Sequence, residues 1–178
     1  MEETTLLQNE KNRFLADEFF MLSWAAATQH NKTWTQITED SEKSEYRQRI
    51  KNWLEAKMLI YAANTVQPED HCNNIVELSA YSKENGEELD IGKCQKLLNM
   101  MCKYYWCAGW ILTPPDIPID SINLSKIGKK DFSWTKIPSI SIYEGLINDF
   151  KNYAESKGFN SVAVWELASW KRRQNQKD

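Results

Sequence analysis

A lysine near the start of a helix and an aspartate behind a proline-stiffened turn can act together as nucleophile and carboxylate. This chain of 178 residues offers such a pair in Lys96 and Asp120. An amine attacks an electrophilic carbon only when unprotonated, a state favoured by desolvation, by neighbouring cations and by a helix N-terminus. A carboxylate opposite it can stabilise developing positive charge and move protons. Lys93, three residues before Lys96, is a rival for the amine role, and Gln95, next to Lys96, and Asn99, three residues after it, are polar groups able to contact a ligand.

The elements that must position these groups read as all-helical. Thr4 to Ala27 carries Leu7, Leu15, Phe19 and Leu22 near helical period, and His30 to Asp40 reads as a loop around Trp34. Ser41 to Ala63 repeats the pattern with Ser41 as cap, and Pro68 suits the first turn of a third helix that stops at Asn85-Gly86. Asp90 caps a central helix from about Ile91 to Trp110, and Pro114, Pro115 and Pro118 forbid its continuation. Asp120, ahead of Ser121-Ile122-Asn123, is also a good helix cap. Ser141 to Ser156 and a last helix capped by Asn160 complete a compact single domain over 1–178, of about six or seven helices.

Composition narrows the class. Eight Trp, seven Tyr and six Phe exceed what a small core needs, so some rings are expected to line a pocket or stacking surface, with Trp34 and Trp106 among the candidates. The net charge of −3 lacks the overall basic balance of a nucleic-acid binder, but the positive residues cluster. Lys93, Lys96 and Lys103 form one group, Lys126, Lys129 and Lys130 a second, and Lys171, Arg172 and Arg173 a third. A local basic face can engage phosphate even on an acidic protein. The four cysteines form no CxxC pair, and His71-Cys72 is an isolated ligand candidate, so no metal is implied. Neither a signal-peptide pattern nor an apolar run of roughly 18 residues is present, which leads us to expect a cytoplasmic protein with reduced thiols.

The stretch Lys96 to Ala108, followed by Ile117-Pro118-Ile119-Asp120, resembles the core of the helix-hairpin-helix DNA glycosylases and is most similar to the compact 8-oxoguanine branch. The resemblance covers about residues 85–125. It implies an all-α fold with a helix-hairpin-helix element that holds double-stranded DNA, a nucleophilic lysine at Lys96, an essential carboxylate at Asp120, no cofactor and a monomer. Gly92, Lys93 and Lys103 would then touch the DNA backbone, and Gln95, Asn99, Trp106 and Trp34 would surround an extruded base. The Leu-Pro-Gly-x-Gly signature of the family is replaced by Leu89-Asp90-Ile91-Gly92, and Lys96 follows Gly92 by four positions, so Lys93 competes with it. The implied activity is excision of a damaged or modified base, with abasic-site lyase activity through the lysine. The base is either an oxidised purine or a hypermodified cytosine of phage DNA, such as glucosylated hydroxymethylcytosine, which would make the protein a defence factor. The competing expectation is a non-catalytic helical module that binds DNA or protein, in which Lys96 and Asp120 lie on unrelated faces.

Overall fold

The computed structural model describes residues 3–29 and 33–170. Among them the chain folds into seven α-helices, with no strand. In order these are α1 (Glu3–Thr28), α2 (Asp40–Ala63), α3 (Pro68–Glu84), α4 (Ile91–Cys107), α5 (Ser121–Lys126), α6 (Ile140–Ser156) and α7 (Val162–Ala168). A single 3₁₀ turn, Trp134–Lys136, lies between α5 and α6. None of the described helices is long and apolar enough to cross a membrane.

Helix α4 is the hub, packed against α1, α2, α3, α6 and the 3₁₀ turn. Its sequence explains the position. Leu97, Leu98, Met101 and Cys102 are fully buried, and each large apolar side chain so buried stabilises the fold by about 1.5–3 kcal/mol. The Asp90 side chain caps its start by accepting from the Lys93 N–H at 2.8 Å, an interaction worth about 1 kcal/mol. The helix stops at Cys107 rather than Trp110, because Gly109 turns the chain with φ +76°.

Other boundaries move by a residue for similar local reasons. Helix α2 begins at Asp40 with Glu39 as cap instead of Ser41, and Ser161 rather than Asn160 caps α7 through its hydroxyl. The larger correction concerns α1. Its buried residues are Phe20, Ser23, Trp24 and Ala27, which face α4, whereas Leu7, Leu15 and Leu22 lie exposed on the opposite side.

Helices α3 and α4 are joined by a turn through Asn85 to Asp90. Its polar groups bond inside the chain: the Leu89 N–H donates to Ser82 Oγ, and the Leu89 carbonyl accepts from Ser79 Oγ. The Glu87 carboxylate accepts the backbone N–H groups of Thr35, Gln36 and Ile37, tying the turn to the segment before α2.

Candidate functional site

Two elements bring Lys96 and Asp120 together. Lys96 projects from the second turn of α4 and is buried. Asp120 ends the extended Ile117–Ile119 segment and caps α5, its Oδ1 accepting from the Asn123 N–H at 2.8 Å. Its other oxygen accepts from Lys96 Nζ at 2.7 Å. The loop is fixed from beneath by Gln95, whose side-chain amide donates to the Ile119 carbonyl at 2.9 Å and accepts from the Ile119 N–H at 3.0 Å. A fully buried amide that satisfies both backbone groups of the preceding residue leaves Asp120 little freedom.

The pair forms the polar floor of a cleft of about 390 Å³, whose other walls are Ala26, Gln29, Ser121, Ile122 and Trp134. The Trp134 ring centroid lies 5.9 Å from Lys96 Nζ, within the range of a cation–π contact. Burial by itself would raise the Asp120 pKa, but the Lys96 ammonium outweighs it. With the Asn123 N–H and the Lys126 charge also acting, the carboxyl is held below its ordinary value. Asp120 is thus a carboxylate in contact with an amine proton at the edge of accessible space, its side chain 24% exposed.

The remaining residues expected from the sequence divide clearly. Gln95 and Asn99 are buried and do not border the cleft. Asn99 joins an internal chain in which its Oδ1 meets His71 Nε2 at 2.9 Å, and its amide donates to the Tyr143 hydroxyl at 3.1 Å. Tyr143 in turn donates to Asp116 at 2.9 Å, and Tyr61 holds the other nitrogen of His71 at 2.7 Å. Both ring nitrogens being engaged, His71 is not a metal ligand with Cys72. Lys93 is 7% exposed at its side chain and ion-paired with Asp90 at 3.2 Å. It stands at the cap of α4 and does not line the cleft.

Gly92 serves packing. A Cβ there would lie 2.4 Å from the Trp134 carbonyl oxygen, so only glycine lets the 3₁₀ turn close against α4. Lys103 reaches away to Glu166, its Nζ donating to both carboxylate oxygens at 2.9 and 2.7 Å. Trp34 packs against Trp24 and Tyr46, and Trp106 packs on the core; neither borders the cleft. The three lysines of α4 therefore each carry an internal carboxylate partner and do not make an open basic face. Lys171, Arg172 and Arg173 lie outside the described residues.

The sequence reading missed Trp134, Ala26 and Gln29. Trp134 sits in a stretch without helical or strand periodicity, and its only local signal is the ring itself. A larger groove of about 570 Å³ begins at Lys126, the far end of α5, and runs past Tyr153, Phe159 and Trp165. No carboxylate borders that groove; carboxylates line the Lys96–Asp120 cleft and a cleft of about 540 Å³ at Glu69, Asp116 and Glu144.

Comparison with protein-family models, with characterised proteins and with solved structures gives no match to this chain.

Proposed function

We propose that this protein excises a modified base from DNA, with Lys96 as the amine nucleophile and Asp120 as its proton partner. The observation that supports the reading is the 2.7 Å contact between Lys96 Nζ and Asp120 Oδ2 at the floor of an open cleft. The competing expectation of a non-catalytic module puts the two groups on unrelated faces, whereas they meet across 24 residues of sequence beside open space.

The chemistry balances as follows. The Lys96 ammonium gives one proton to Asp120 and attacks C1′ of the target nucleotide as a neutral amine. The C1′–N bond to the base breaks as the C1′–Nζ bond forms, and its electron pair leaves with the base, which takes the proton back from Asp120. The new ammonium nitrogen then passes one proton to the sugar ring oxygen as the C1′–O4′ bond breaks and the C1′=Nζ bond forms, giving the protonated Schiff base from which strand cleavage or hydrolysis proceeds. Trp134 and Ile122 supply the apolar wall that an extruded base requires. Lys130, on the segment joining α5 to the 3₁₀ turn, and Lys136, the last residue of that turn, are exposed and can meet phosphates.

The test is mass spectrometry of bases released from DNA carrying oxidised purines and from phage DNA carrying hypermodified cytosines. Wild-type protein should release one of these classes. Release by the latter class would assign the protein to antiviral defence. Asp120→Asn, which keeps a helix-capping side chain, should fold and bind DNA but release the base about 10²–10⁴-fold more slowly. Full activity in that variant contradicts the assignment.

A further inference from the structure

Helix α1 has two apolar faces, and only one is covered. The buried residues Phe20, Ser23, Trp24 and Ala27 face α4. On the other side Leu7, Phe14, Leu15, Met21 and Leu22 are 53, 63, 37, 49 and 50% exposed. At 100° per residue these five fall within one stripe about a third of the way round the helix, the width that helix–helix packing uses. Isolated exposed apolar residues are ordinary, but five on one side of a helix mark an interaction surface.

Two charges interrupt the stripe, Lys11 and Glu18, both exposed and neither ion-paired among the described residues. Their placement identifies the occupant. When α1 is laid antiparallel on a second α1 about a two-fold axis between Phe14 and Leu15, Leu7 meets Leu22 of the other copy. Phe14 then meets Leu15, and Lys11 meets Glu18. Every one of these contacts occurs twice, as the self-complementary interface of a two-fold dimer demands. A parallel arrangement would set Lys11 against Lys11 and Glu18 against Glu18, which like-charge repulsion disfavours.

We propose that α1 is the interface of a homodimer, formed by antiparallel pairing of its exposed face with the same face of a second copy. The contact extends over about 22 Å of helix from Leu7 to Leu22. It departs from the monomer expected from the sequence and is independent of the excision chemistry. The cleft wall at Ala26 and Gln29 lies at the C-terminal end of the same helix. Dimerisation would therefore carry two clefts on one paired-helix spine.

Sedimentation velocity on the full chain tests this directly. Wild-type protein should sediment at twice the 20.8 kDa of one chain, and Phe14→Glu should sediment as a monomer. Since Phe14 contributes nothing to the monomer core, circular dichroism of that variant should be unchanged. Lys11→Glu and Glu18→Lys should each weaken the dimer about tenfold, and the double variant carrying both should restore it. A monomeric wild-type protein overturns the proposal. So does a dimer that survives Phe14→Glu, or a double variant that stays as weak as the single ones.

Discussion

Two lysines of α4, Lys96 and Lys103, lie two turns apart on one helix, and each meets a carboxylate from the C-terminal half of the chain at 2.7 Å. They are nonetheless different objects. Glu166 is 6% exposed at its side chain, takes two hydrogen bonds from Lys103 and is approached by the Asn123 amide at 3.4 Å. The indole of Trp170 lies 5.7 Å from the Lys103 ammonium. Asp120 is 24% exposed, bonds Lys96 through one oxygen, caps α5 with the other and borders open space. A lysine–carboxylate contact is therefore not in itself a site. What distinguishes the Lys96 pair is room for a third body.

The two pairs should separate under mutation. Lys103→Met leaves Glu166 charged and buried without its partner, which costs about 3–5 kcal/mol. Lys96→Met leaves Asp120 with the Asn123 N–H and access to solvent, so it should cost well under half as much. Urea denaturation of both variants checks the contrast, and equal losses would erase it. A smaller effect is expected at Gln95. Gln95→Leu keeps the side-chain size but strands the Ile119 N–H and carbonyl, at about 1–3 kcal/mol. Hydrogen exchange at the Ile119 amide should quicken in that variant while exchange near Glu166 stays as in wild type.

The smallest effect is one of pH. The folded-state carboxyl of Asp120 lies below its ordinary value of about 3.9. The stability it contributes is therefore fully present above about pH 4 and is lost as pH falls through the lower folded-state value. Asp120→Asn should flatten that part of the acid limb of a stability–pH curve. Should the limb be unchanged, the pair would not be ionised as described.

Much of this arrangement can be read in the sequence, and the reasons differ from residue to residue. The all-α class and the central helix follow from caps and apolar period. Asp90 and Asp120 both stand as helix caps where local rules put them. The Lys96–Asp120 meeting is an expectation of the family resemblance alone, since the prolines end α4 but do not by themselves return the chain to it. By contrast, the orientation of α1 was not legible. With apolar residues on two faces the period fixes a helix but not its phase, and Leu7, Leu15 and Leu22 turned out to be the solvent side. Polar residues on an apolar helix, such as Gln95 and Asn99, invite a ligand-facing reading. Their actual partners are the Ile119 backbone, Tyr143 and His71, contacts of 24, 44 and 28 residues in sequence that only the fold reveals. Trp134 reaches the site by the same kind of long-range closure, admitted by the missing side chain at Gly92.

The central claim is that Lys96, and not another lysine of α4, does chemistry in partnership with Asp120. Borohydride reduction during turnover on DNA carrying the released base class, or an abasic site, would trap the Schiff base as a stable covalent adduct. We predict an adduct whose peptide map places the sugar on Lys96, formed by wild-type protein and by Lys93→Met, and absent from Lys96→Met. An adduct that persists in Lys96→Met, or one that maps to Lys93, would contradict the account.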